Sequence, residues 1–198
     1  MLFGVVVTVA SCKKDKTTTT DTCVTFSDSR DSQSYTTVKI GSQCWMAKNL
    51  NYAVASTSWC YNNTTSNCTN YGRIYSWTAA SSACPSGWRL PSDADWKTLE
   101  IALGMTQADA DADGSYRGTD QGTKLKVNGS SGFNALLAGL RDPSGNYNDL
   151  SSVGYYWTST VGNLSTLYYR RTVSSSEPTV YRGSMNLSNG FSVRCLQN

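Results

Sequence analysis

Seven cysteines and no histidine bound the chemistry open to this 198-residue chain. Without an imidazole there is no Ser-His or Cys-His nucleophile pair and no His-ligated zinc or iron. The cysteines fall at 12, 23, 44, 60, 68, 84 and 195, and none forms a Cys-x-x-Cys pair, so their spacing suits oxidised pairs better than a metal site. Cys12 stands apart. The apolar run from Leu2 ends in Val9-Ala10-Ser11-Cys12, which has the pattern of a bacterial lipobox, with cleavage before Cys12 and acylation of its thiol and amine. Setting Cys12 aside leaves Cys23, Cys44, Cys60, Cys68, Cys84 and Cys195. That is an even number with 15 possible pairings, in a chain addressed to an oxidising compartment.

A second constellation is acidic. Asp109, Asp111 and Asp113 alternate ahead of Gly114, as at the start of a calcium-binding EF-hand loop, and Asp120 takes the twelfth place. That place calls for a bidentate Glu, and the glycines at 122, 129 and 132 make a poor exit helix, so a solvated acidic loop is the competing reading. Calcium is the one cofactor the residues raise. No pair of carboxylates can be assigned to acid-base work from spacing alone.

The elements that must position these groups are short. A net charge of +3 comes from 17 basic and 14 acidic residues with no basic stripe, which argues against a nucleic-acid partner. Only 16% of residues are charged while 12 are Tyr and 6 are Trp, a composition fitting a loop-rich extracellular domain. Residues 1–11 read as a lipoprotein signal peptide and 12–22 as a lipid-anchored polar tether, with 23–198 as one domain that touches a membrane only through its anchor. The expected address is the outer membrane, facing the periplasm or the surface.

Within the domain, period-two alternation predicts strands at 35–40 and 44–50, joined at Gly41-Ser42-Gln43. Cys60 and Cys68 bracket an Asn-rich excursion that suggests a local disulfide. Ile74, Trp77 and Ala80 are spaced for a first helix running towards Cys84, and Pro85 and Gly87 stop it. Trp88-Arg89-Leu90 reads as a strand. Ser92 then caps a second helix, with Asp93 and Asp95 in its first turn, Trp96, Leu99 and Leu103 on one face, and Gly104 at its end. Further strands are expected at 124–127 and 132–141. From Asp142 a meander follows, with strands at 155–160, 167–171, 180–182 and 190–195.

Taken together, the segments Val38–Leu50, Trp59–Asn63, Cys84–Ser92, Gly154–Ser159 and Gly190–Cys195 resemble the Fibrobacter succinogenes major paralogous domain family, found in exported proteins of the Bacteroidetes and Fibrobacteres and of largely unknown function. The resemblance implies an α+β, C-type-lectin-like fold with two short helices, small antiparallel or mixed sheets, long loops and neighbouring termini. It also implies a pairing: Cys84 with Cys195, Cys60 with Cys68, and Cys23 with Cys44. Trp88 and Trp96 are then expected to pack beneath the Cys84–Cys195 clamp. Glu177-Pro178-Thr179 is half of a lectin's sugar-binding motif, but the Trp-Asn-Asp that completes it is missing.

The expectation for function is a non-enzymatic binding or adhesion lipoprotein that takes a glycan or protein through its C-terminal loops. Tyr155, Tyr168, Tyr169, Tyr181 and Asn186 are the candidate contacts, because Tyr and Asn combine stacking area with adaptable hydrogen bonds. One alternative is a retroelement-diversified variable protein, since 155–189 is rich in the Asn, Tyr and Ser that adenine-directed mutagenesis enriches. A structural surface protein is another. The least favoured is an enzyme of the formylglycine-generating type or a hydrolase, because six oxidised cysteines leave no thiol.

Overall fold

The computed structural model describes Met1 and residues 23–198, so residues 2–22, on which the expected signal peptide, tether and lipidated Cys12 fall, lie outside the described residues. A two-strand ribbon opens the domain, β1 (Phe26–Ser27) against β2 (Ser34–Tyr35). β3 (Thr37–Ile40) and β4 (Gln43–Met46) form the expected hairpin, with Gly41 at φ 60° in its turn, a left-handed value that glycine adopts without strain. Then come β5 (Ser58–Trp59), a 3₁₀ turn, α1 (Thr65–Tyr71), β6 (Ile74–Ser76), α2 (Trp77–Ala83), β7 (Trp88–Arg89), α3 (Asp93–Ala102), α4 (Gln107–Asp111), β8 (Ser115–Arg117) and α5 (Gln121–Leu125). The C-terminal part supplies β9 (Ala138–Arg141), β10 (Tyr147–Leu150), β11 (Val153–Val161), β12 (Leu167–Ser174), β13 (Val180–Asn186), β14 (Gly190–Ser192) and β15 (Leu196–Gln197).

A nine-stranded mixed sheet runs β5-β6-β14-β9-β11-β12-β13-β8, with β10 paired to β9. A four-stranded sheet, β3-β4-β15-β7, brings the beginning and end of the domain together, with Leu196 opposite both Trp45 and Arg89. The architecture is α+β with short helices, small sheets and three disulfides, as the resemblance implies, though five α-helices replace the expected two. Among the described residues no helix is long and apolar enough to cross a membrane.

The second predicted helix forms where its signals place it. Ser92 Oγ accepts from the Asp95 amide at 3.1 Å while the Asp95 carboxylate accepts from the Ser92 amide at 2.7 Å, a reciprocal cap that fixes the start of α3. The first predicted helix starts three residues later than its spacing suggests. Gly72, at φ 76° and with a would-be Cβ 2.7 Å from the Asn49 Cβ, ends α1, and Ile74 and Tyr75 are then consumed by pairing with β14 and β5. Two strand expectations also fail. Lys124 and Leu125 end α5, which buries Leu125, and Lys126 makes only an isolated bridge to Ala135, while 132–141 forms a strand only from Ala138, because Asn134 takes φ 53°.

Cys23–Cys44, Cys60–Cys68 and Cys84–Cys195 are all bonded, with Cα separations of 5.4, 4.9 and 5.9 Å. The main sheet has one apolar cluster on each side. Tyr75, Trp157, Phe191, Val193 and Cys195 gather with α2 on one side, and Trp88 packs there beside Cys84. Trp45, Trp96, Phe133, Tyr156 and Val173 gather with α3 on the other. Trp96 therefore lies in the second cluster, 5.1 Å from Trp45, and only Trp88 packs by the clamp as expected. The reason is the cap at Ser92, which aims Trp96 towards β4.

Candidate functional site

Alternation along β11, β12, β13 and β8 sends successive side chains to opposite faces, and the two faces of this part of the sheet differ in chemistry. The inner face meets α3. Asp93 and Glu100 lie two turns apart on that helix, so both carboxylates point at the sheet. Arg171 donates to Asp93 and Glu100 at 2.7 Å each, Arg182 donates twice to Asp93 at 2.9 Å, and Arg117 donates to Glu100 at 2.6 Å. All five residues are buried. Burial pushes the Asp93 carboxyl up, but the two arginines outweigh it and hold it at about 2. Both carboxylates are paired with arginines, though the Arg117 Nε is buried without a partner, so the cluster fastens α3 to the sheet and leaves neither carboxylate free to act as an acid or base.

The outer face carries a row of cross-strand partners. Tyr155 faces Thr172, Thr172 faces Tyr181, and Tyr181 faces Tyr116, one residue from each of β11, β12, β13 and β8. In the row behind, Trp157 faces Arg170, which faces Gly183. With no side chain at 183, the Tyr181 ring folds down over that position: a Cβ there would sit 2.7 Å from Tyr181 Cε1. The Arg170 guanidinium lies 4.7 Å from the centroid of Tyr181, 5.3 Å from Tyr155 and 6.0 Å from Phe191. Tyr116 closes the row edge-on to Tyr181 at 5.4 Å and is 42% exposed. The Tyr155 hydroxyl donates to Asp149 at 2.8 Å; burial, then that carboxylate, pushes its pKa up.

Of the five residues expected to contact a ligand, the structure brings Tyr155 and Tyr181 together. Tyr168 shares their face one row on, but its ring is stacked on Trp77 at 3.6 Å. Tyr169 points to the opposite face, over Arg182 at 4.3 Å with its hydroxyl on Asp113 at 3.0 Å. Asn186 ends β13 and holds the following turn, its carboxamide oxygen accepting from the Ser188 amide at 2.9 Å. The four tyrosines thus stand on strands and not on loops, because alternating Tyr, Arg and Val pair readily. Arg170, Thr172 and Tyr116 completed the site unannounced. The period-two spacing of Tyr168, Arg170 and Thr172 was the signal that could have found them.

The acidic stretch does not assemble a metal site. Thr106 caps α4 and its hydroxyl donates to the Asp109 carboxylate at 2.8 Å, Asp111 pairs with Lys97 at 2.7 Å, Asp113 accepts from the Tyr169 hydroxyl and the Gly114 amide, and Asp120 pairs with Lys124 at 2.9 Å. The turn of helix at 107–111 splays these carboxylates apart, and among the described residues no group of three acids or cysteines is placed to hold an ion. Glu177-Pro178-Thr179 is scaffold too: the Glu177 carbonyl accepts from Lys126 at 2.9 Å, and the Pro178 carbonyl accepts from the Thr123 amide at 3.0 Å. A polar recess of about 330 Å³ beside Asn49 lies away from the tyrosine row, and the Asn49 carboxamide there is fully occupied by Tyr71, Ser192 and Arg194.

A family model described as the Fibrobacter succinogenes major domain matches residues 38–197. No curated protein and no solved structure matches the chain.

Proposed function

The chain belongs to the Fibrobacter succinogenes major domain family, and on that premise we propose that it is a non-enzymatic binding lipoprotein that takes a glycan on the outer face of β11, β12, β13 and β8. The observation that carries this reading is the row Tyr155-Thr172-Tyr181-Tyr116, three half-buried or exposed aromatic rings in register across four strands. Aromatic rings held by a rigid sheet stack on the C–H face of a sugar at little entropic cost, and their hydroxyls bind its oxygens.

The interior chemistry favours binding over catalysis. Six cysteines are oxidised, histidine is lacking, and the buried carboxylates are spent on arginines. The lipobox-like run and polar tether ahead of Cys23 would hold the domain at the outer membrane, facing the periplasm or the surface. Two measurements test the proposal. The full chain is applied to a glycan array, where Tyr116→Ser and Tyr181→Ser should each weaken the positive spots about tenfold or more; no positive spot, or spots indifferent to both changes, refutes the site. Cys12→Ser should move the protein from the membrane fraction to the soluble one.

A further inference from the structure

Five arginines among the described residues are buried, Arg117, Arg170, Arg171, Arg182 and Arg194. Arg117, Arg171 and Arg182 have carboxylates. Arg194 has none, but it donates five hydrogen bonds, to Met46, Phe133 and Asn134 carbonyls and twice to Asn49. Arg170 is the exception. It is 8% exposed, makes no ion pair, and donates one hydrogen bond, to the Thr172 hydroxyl. Its Nε is buried without a partner.

Burying a cation without a counter-charge is unfavourable, and cation–π contact offsets only part of that cost. Ring faces attract the cation but do not accept its in-plane N–H groups, so beyond the bond to Thr172 the hydrogen-bonding edge of Arg170, its buried Nε included, is left without an acceptor. A planar carboxylate matches that edge in a two-pronged pair.

We propose that Arg170 anchors the carboxylate of an acidic sugar, a hexuronic acid residue within a glycan, whose ring packs against Tyr181 with the near-perpendicular Tyr116 beside it. This rests on the glycan-binding reading above and adds the charge of the ligand. Three features select a singly charged sugar over a polyanion. Of the four arginines on β8, β12 and β13, only Arg170 faces outward. The rim carries negative charge, Asp149 on the Tyr155 hydroxyl and Glu177 close enough to raise the Tyr116 pKa after burial has done so. The remaining surface of the row is aromatic, which suits a sugar ring and not a phosphate chain.

Calorimetry on the full chain tests this, with trisaccharides carrying one terminal galacturonate, glucuronate or mannuronate on two neutral residues, their methyl esters, and a neutral galactose trisaccharide. At least one free uronate should bind, its methyl ester should bind tenfold or more weakly, and Arg170→Gln should lose tenfold or more. Arg170→Lys keeps the charge without the fork and should fall between. Tyr181→Ser leaves the buried charge alone and should also weaken binding, which keeps the test decisive if Arg170→Gln fails to fold. Thermal melts separate loss of fold from loss of site: Arg170→Gln should melt at or above the wild-type temperature, because it removes an unpaired charge. Ester and acid binding equally would overturn the acidic-sugar proposal while leaving glycan binding standing. Binding of an acidic peptide and no glycan would overturn both.

Discussion

Replacing Asp93 with Asn tests whether the buried ion cluster, and not apolar contact alone, holds α3 against the sheet. Asn has nearly the same shape, so the change removes charge while leaving packing in place. The carboxylate it removes is the sole acidic partner of Arg182 inside the cluster and one of two for Arg171, at 2.7 to 2.9 Å. Losing one member of a buried pair strands the others, a loss of about 3 kcal/mol or more. Part of that loss must depend on pH. The Asp93 carboxyl sits at about 2 in the fold against an ordinary 3.8, so its charge contributes about 2 kcal/mol at neutral pH.

Because the folded value is the lower one, that contribution is complete above the unfolded pKa and vanishes as pH falls through the folded one, between about 5 and 1. Urea titrations followed by tryptophan fluorescence should therefore give wild type an advantage of about 3 kcal/mol over Asp93→Asn at pH 7, shrinking by about 2 kcal/mol towards pH 2. Trp96, one turn along α3, makes a sensitive reporter. A gap below 1 kcal/mol at pH 7, or one that stays constant down to pH 2, would show that the arginines are satisfied without Asp93 and refute the reasoning.

Three further outcomes are expected. Removing Cys84–Cys195, which closes a 111-residue separation, should lower stability by about 5 kcal/mol on the chain-entropy model, against about 2.5 for the 8-residue Cys60–Cys68 loop; paired Cys→Ala variants giving equal urea midpoints would contradict this. Gly139→Ala, at φ 68° with a new Cβ 2.2 Å from the Asn148 carbonyl, should cost about 3 kcal/mol, while Gly87→Ala, at φ 82° but in open space, should cost about 1; similar melting shifts would rule out the close approach as the cause. Burial pushes the hydroxyls of Tyr35 and Tyr156 up to about 12. Their folded values exceed the unfolded one, so stability should be complete below about pH 10 and decline as pH rises towards 12, read as delayed tyrosinate absorbance near 295 nm followed by unfolding.

What the sequence disclosed and what it hid divide along the range of the forces involved. The α3 cap needs Ser92 and Asp95 three residues apart, and the β3–β4 hairpin needs a turn at Gly41, so each is legible where it occurs. The ion cluster joins Glu100 to Arg171 and Asp93 to Arg182 across 71 and 89 residues, and nothing local separates those charges from solvated ones. Ile74 and Trp77 show the same limit, since their helical spacing lost to a strand partner more than a hundred residues away at Phe191 and Ser192.

The candidate site falls between these cases. Residue type identified its tyrosines, while adjacency alone guaranteed that Tyr168 and Tyr169 could not share a strand face. Which of them shared the face of Tyr155 and Tyr181 depended on the side that met α3. Asp93 and Glu100 settle that by drawing Arg171 and Arg182 inward, which turns Arg170 and Tyr181 outward. A one-residue slip of β12 would exchange the faces, burying Arg170 against Glu100 and presenting Arg171 to the tyrosines. The same pairing that anchors α3 therefore sets the register of the row, and with it which arginine is left without an acid.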